Sequence, residues 1–184
     1  MRRKILILAV SLIPLFSISC ARAKQGEIKA GDVKVEEIKA RAEEAGGAFS
    51  GGDYQKFADL TYPKLVELMG GREAMIATLE RSSKEVKAQG FEFMSMSVDS
   101  PKGAVPGETQ IFAIVPYTLR MKSGEGVVRQ QSYPLAISNK DKVNWTFIDV
   151  TNFDESKSKV ALPEAAGWLT LPGKQAPVFE RNPL

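Results

Sequence analysis

Apolar residues at Val35, Ile38, Ala42, Ala45 and Phe49 recur three and four positions apart. They form one stripe of a helix whose wet side carries Glu36, Glu37, Lys39, Arg41 and Glu43. Asp32 stands where an N-cap would, and Gly46-Gly47 or Gly51-Gly52 provides an end. Asp53 then begins a short second helix with Tyr54, Phe57 and Leu60. That helix must stop before Pro63, because a proline pushes the preceding residue out of the α region. Lys64–Met69 alternates Leu65, Glu67 and Met69 against Val66 and Leu68. The expectation is a brief strand turned by Gly70-Gly71, with continued helix as the alternative. Arg72–Gln89 reads as a long helix with Met75, Ile76, Leu79 and Val86 inward and Gly90 just past its end.

From Phe91 the period changes to two. Phe91–Val98 alternates, and Ser100–Gly107 is a loop rich in Pro and Gly. Gln110–Lys122 puts Ile111, Ala113, Val115, Tyr117, Leu119 and Met121 on one face. Val127–Ser138 does the same for Tyr133, Leu135 and Ile137, and Val143–Val150 for Trp145, Phe147 and Asp149. Four strands with short turns predict an antiparallel meander. Pro116 and Pro134 fall inside strands, where proline marks a bulge or an edge and a bulge bends the sheet. Helices followed by strands make an α+β fold, with the helices on one face of a curved antiparallel sheet. A short helix is expected around Phe153–Val160. The tail as a whole, 153–184, with Trp168, Leu169, Leu171, Val178 and Phe179, is expected to lie along the domain as a strap.

The first residues change the picture of where such a domain resides. Arg2, Arg3 and Lys4 precede the apolar run Ile5–Ile18 and the small residues before Cys20, which is the pattern of a secretory signal. A membrane-spanning helix is the competing reading, but these 14 residues would span only about 21 Å of a hydrocarbon core about 30 Å thick. Phe16–Cys20 resembles a bacterial lipobox, with Ser17 where Leu is usual. Residues 1–19 are then the leader, Cys20 the lipidated first residue, 20–32 a polar tether and 33–152 the domain. Ala21-Arg22-Ala23 is an alternative cleavage site that would release a soluble periplasmic or secreted chain from Lys24. Acylation gives the single cysteine a role in an exported protein. Ala21 is not the Asp that, by resemblance, retains lipoproteins in the inner membrane, so the expected location is the outer membrane, facing the periplasm.

The three leader cations account for the whole net charge of +3, since 25 Lys and Arg stand against 22 Asp and Glu. The remainder is neutral and has no bulk electrostatic reason to bind nucleic acid. With no His and one Cys, His-dependent triads and Cys/His metal sites are excluded, and no cofactor is implied.

Gly52-Asp53-Tyr54 through Leu60-Thr61-Tyr62-Pro63, Gly70-Gly71-Arg72-Glu73-Ala74-Met75-Ile76 and Trp145-Thr146-Phe147-Ile148-Asp149 occur in the expected order helix, short helix, short strand, long helix, curved antiparallel sheet. In that order they resemble the nuclear transport factor 2-like superfamily, a conical fold that includes ketosteroid isomerases and polyketide cyclases. The resemblance covers roughly residues 33–152. It implies a pocket between the helices and the concave sheet, and often a homodimer through the sheet's outer face. Tyr62, Met69, Tyr117, Tyr133, Trp145 and Phe147 are the expected ligand-binding residues, and Met94, Met96 and Met121 are candidates for an adaptable lining.

Three functions are compatible with this reading. The first is binding of a small apolar ligand or a protein partner by a domain tethered to the membrane at Cys20. The second is an isomerase or cyclase with Asp149 and Tyr62 or Tyr117 as an acid–base pair, since the superfamily's isomerases need an Asp base and a Tyr donor but no His. Asp59 and Glu67 are further carboxylates of the right type. The third is a homodimeric interaction or immunity-type module. Core and solvated roles explain most of these tyrosines and carboxylates equally well, which favours binding over catalysis.

Overall fold

A computed structural model describes residues 33–140, 144–149, 153, 155–165 and 175–181. Four helices come first: α1 (Val35–Gly51), α2 (Tyr54–Leu60), α3 (Pro63–Leu68) and α4 (Arg72–Ala88). The strands β1 (Glu92–Val98), β2 (Val105–Pro106), β3 (Gln110–Ile114), β4 (Tyr117–Ser123), β5 (Gly126–Ser132), β6 (Leu135–Asn139) and β7 (Thr146–Ile148) follow. A fifth helix, α5 (Glu155–Ala161), and a last strand, β8 (Val178–Arg181), complete the order. The chain is therefore α+β, with N-terminal helices, antiparallel sheets after them, and α1 and α2 contacting strands.

Local chemistry sets the helix ends. Lys34 occupies the N-cap position of α1 without a side-chain hydrogen bond, whereas the expected cap, Asp32, lies outside the described residues. Gly52 ends α1 with φ 78°, a left-handed conformation that glycine adopts without steric cost. Asp53 caps α2 by accepting from the Lys56 N–H at 3.0 Å. Arg72, at the start of α4, donates to Asp59 (3.0 Å) and to the Gln55 carbonyl (3.0 Å), which fastens α4 to α2.

Lys64–Met69 is not a strand. Pro63 sits in the first turn of α3, where its missing N–H costs nothing, and Tyr62 is the N-cap. Gly71 closes the helix by donating to the Val66 carbonyl at 2.9 Å. Six residues are too few to separate a period of two from one of 3.6, so the flanking Pro and Gly-Gly carried the better signal. In α4 only Met75 is buried, and Val86, expected inward, is 40% exposed.

The strands form two four-stranded antiparallel sheets, ordered β1-β4-β5-β8 and β2-β3-β6-β7. The two long strands expected over 110–122 and 127–138 each pass from one sheet into the other. The changeovers lie at Pro116 and Pro134, so the prolines mark corners. Proline cannot donate to a ladder, but its carbonyl still accepts: Val115 N–H donates to Pro134 and Asp99 N–H to Pro116, both at 2.9 Å. The corner keeps its hydrogen bonds while the strand turns.

Sheet β2-β3-β6-β7 is covered on both faces. Ile111, Ala113, Ala136, Trp145 and Phe147 pack with Ile38, Ala42 and Ala45 of α1. Phe112, Leu135, Ile137 and Ile148 pack on the other side with Ala161, Leu162 and Ala165, at and beyond the end of α5. Leu135 and Ile137 therefore lie on the face away from α1, where Leu65 of α3 and the α5 layer pack, and Tyr133 lines a depression beside Leu135. Alternation showed which residues share a face, but with apolar residues in both phases it could not show which face is which.

Glu164 fixes this second layer to the turn before β3. Its carboxylate accepts from the Thr109 hydroxyl, from Thr109 N–H (3.0 Å) and from Gln110 N–H (3.2 Å). Burial, the strongest single influence, raises its pKa. The hydrogen bonds from Thr109, Gln110 and Glu108 together outweigh it and hold the group below the ordinary carboxylate value. In the other sheet β8 pairs with β5, placing Phe179 opposite Val128, and Val178 and Phe179 remain 47% and 44% exposed.

Candidate functional site

A cavity of about 200 Å³ lies between the helices and the strands. Ala42, Ala45, Gly46 and Phe49 from α1 form one wall, with Phe57 from α2, Leu65 from α3 and Met75 from α4 beside them. Met96 and Val98 of β1, Tyr117 and Leu119 of β4, and Phe147 complete it. Small residues on α1 leave the space. A Cβ placed on Gly46 would lie 2.8 Å from the Met96 sulfur, so this glycine lets a flexible thioether pack against the helix backbone.

One end of the cavity is polar. Asp149 lines it and is exposed to solvent, so this carboxylate stands at the mouth. Ser132 Oγ donates to Asp149 Oδ2 at 2.8 Å, and the Tyr117 hydroxyl reaches the same oxygen across a long 3.4 Å. Burial, with the Asp149 charge second, pushes the Tyr117 phenol up to about 12. Tyr117 therefore stays protonated at neutral pH and serves as a donor. The strand corner creates this grouping: Tyr117, just after Pro116, and Ser132, just before Pro134, are opposite each other at the end of the β4–β5 ladder, and Asp149 follows the end of β7.

Of the residues singled out in the sequence, Tyr117, Phe147 and Asp149 line this cavity, and Met96 does so from the methionine set. The others are placed elsewhere. Thr61 has extended backbone angles, φ −81° and ψ 143°, so it and Tyr62 project to opposite sides. Thr61 lines the cavity, whereas Tyr62 packs with the α5 layer and accepts from Gln110 Nε2 at 3.3 Å. Met69 is the C-cap of α3 and Leu65 takes the place at the wall.

Tyr133 faces a separate depression with Phe112 and Leu135, and its hydroxyl accepts from Gln175 Nε2 at 3.0 Å. Trp145 is a core residue, 3% exposed, and its indole N–H has no hydrogen-bond partner among the described residues. Asp59 pairs with Arg72 and Glu67 with Lys64. Met94 is 48% exposed. Cys20 lies outside the described residues.

Sequence reasoning missed Ser132, Leu65, Thr61, Met75 and the small α1 residues. Ala42 and Ala45 were visible as an apolar stripe, but nothing in a stripe distinguishes filled core from the wall of a void.

Among the described residues no cluster of three or more Cys, Asp or Glu side chains could hold a metal ion. No helix among them is long and apolar enough to cross a membrane. No family model, no curated protein and no solved structure matches the chain.

Proposed function

We propose that this is an exported domain, tethered to a membrane by lipid on Cys20, whose nuclear transport factor 2-like cone binds a small apolar ligand. The observation that carries the binding reading is the cavity itself. Its volume of about 200 Å³ exceeds the roughly 150 Å³ that suffices for benzene in an apolar interior, and it falls below the ~300 Å³ typical of drug-sized sites. A guest with a single ring or a short chain fits that range. The helices-first order and the strand corners at Pro116 and Pro134 support the conical reading.

Binding is tested with a small aromatic guest such as indole, titrated into the protein and followed by calorimetry. Leu119 lines the cavity from a half-buried position, so Leu119→Trp should fill it with little strain. The expected result is at least a tenfold loss of indole affinity in L119W with its thermal midpoint retained. Equal binding by both proteins, or none by the wild type, would overturn the reading.

The tether is read separately by intact mass of the native protein. A chain beginning at a lipid-modified Cys20 supports it, and an unmodified chain beginning at Lys24 ends it.

One observation favours an isomerase or cyclase as a second reading. Asp149 and Tyr117, a base type and a donor type, converge on one cavity at 3.4 Å. Against it, the Tyr117 hydroxyl is directed at the carboxylate itself, whereas an isomerase needs its donor aimed at the substrate oxygen.

A further inference from the structure

The apolar wall of the cavity continues past the cavity itself. Tyr117 and Leu119 line it from β4, and Met121 is the next residue of that strand on the same face. Residues opposite each other in an antiparallel ladder project to one side. Met121 is opposite Phe93 of β1 and Val128 of β5, and Val128 is opposite Phe179 of β8. Phe93, Met121, Val128 and Phe179 therefore form one row across the sheet, on the side that bears the cavity. Three strand spacings make the row about 14 Å long. Met121 and Val128 are half-buried, and the phenylalanines at its ends are exposed.

The opposite face of the same sheet is charged. Arg120, Lys122, Arg129 and Glu180 alternate onto it, and Glu180 pairs with both arginines, at 3.4 and 3.3 Å. Val127, opposite Lys122 and Glu180, belongs to that face. The apolar row is thus a property of one side only.

A second copy of the chain is a poor fit to this row. A stable interface buries about 800 Å² on each partner, whereas the row is a single file of side chains. Gln130 flanks it on one side, and Ser123 and Arg181 on the other. A hydrocarbon chain has the matching width. The row also meets the cavity, because Met121 follows Leu119 on one face of β4. At its other end the cavity reaches the polar group of Tyr117, Ser132 and Asp149, so its apolar continuation along β4 runs toward Met121.

We infer that the ligand is a straight-chain lipid longer than the cavity. Part of its chain lies between α1 and Leu119, and the rest follows Met121 and Val128 toward Phe179. This rests on the binding reading above and specifies the ligand class and the extent of that same site.

The test compares hexyl and dodecyl maltoside, two probes with one uncharged head and different chains. Each is titrated into the full chain by calorimetry, below the concentration at which it forms micelles. A fully buried methylene strengthens binding roughly fourfold, and about twofold is expected on a half-open row. The six added methylenes should therefore strengthen binding roughly fiftyfold. Val128→Gln should cut that gain at least fivefold and leave hexyl maltoside unchanged. Val127→Gln is the matched control, with the same residue type on the same strand and the opposite face, and it should leave the gain intact. Circular dichroism and the thermal midpoint report whether each variant is folded.

Three results would overturn the inference: dodecyl maltoside binding within twofold of hexyl maltoside, a gain that V128Q leaves unchanged, or a gain that V127Q lowers as much as V128Q does. If indole binds and any of these is seen, the extended chain fails and the pocket reading stands. If neither indole nor either maltoside binds, both fail.

Discussion

Replacing Phe112 with alanine is expected to destabilise the protein by about 3–5 kcal/mol, the usual cost of removing a buried aromatic ring from a packed core. Phe112 is 1% exposed and lies where the two-faced sheet meets the α5 layer, packed with Leu135, Ile137, Ile148, Ala161 and Leu162. The turn before β3 cannot collapse onto the vacated space freely. Gly107 already abuts the ring, since a Cβ there would lie 2.7 Å from Phe112 Cε2, and Glu164 holds the neighbouring turn from the other side. Because a domain's net stability is only about 5–15 kcal/mol, this substitution removes a large share of it. The thermal midpoint should fall by roughly 6–20 °C. Denaturant melts of wild type and F112A would measure the loss, and a change below about 1 kcal/mol would show that the α5 layer is not packed as described.

Gly126→Ala should release β8 from its sheet. A Cβ on Gly126 would sit 2.3 Å from the Glu180 carbonyl oxygen and 3.0 Å from the Arg181 Cα, both backbone atoms that no rotamer change can move. Glycine in a strand here marks the close approach of another backbone. The pairs Gly126↔Arg181, Val127↔Glu180, Val128↔Phe179 and Arg129↔Val178 must all shift together. The contacts of Glu180 with Arg120 (3.4 Å) and Arg129 (3.3 Å) would go with them. Amide exchange at 178–181 is expected to accelerate at least tenfold, with a much smaller change in the core strands β3 and β6. Gly124→Ala is the matched control, because nothing lies within 4 Å of a Cβ at Gly124. Exchange at 178–181 that is the same in G126A and wild type would contradict the pairing.

Period and punctuation together made most of the architecture legible. The change from a spacing of three and four to a spacing of two separates α1–α4 from the strands, and Asp53, Pro63 and Gly90 mark boundaries that the structure keeps. The misread segment, Lys64–Met69, is one in which the local period was undersampled and the proline and glycines outside it decided the outcome. The division into two sheets was hidden for a different reason. Pro116 and Pro134 announce a disruption, but a bulge, an edge and a corner all tolerate a missing N–H in the same way.

The site was half legible. Alternation put Tyr117 on one face of its strand and Phe147 with Asp149 on one face of theirs, and the three meet at the cavity. Tyr62 was misplaced because a single extended step at Thr61 reverses the side to which the next residue projects. Ser132 gave no signal at all, since its role depends on a pairing across the corner with Tyr117.

The unequal cover of the two sheets has a bearing on how a guest is received. Ile111, Phe112, Ala113, Leu135, Ala136 and Ile137 clamp one sheet from both sides, while β4 contains no buried residue and β1 has one, Val98. Regions with less burial breathe at lower free energy. Phe147 and Val115 therefore form an anvil, and Met96, Leu119 and the ring of Tyr117 form a cushion. Guests that differ by a methylene would be absorbed by the cushion, so this recess should grade its visitors by the chemistry at the rim and only loosely by their bulk.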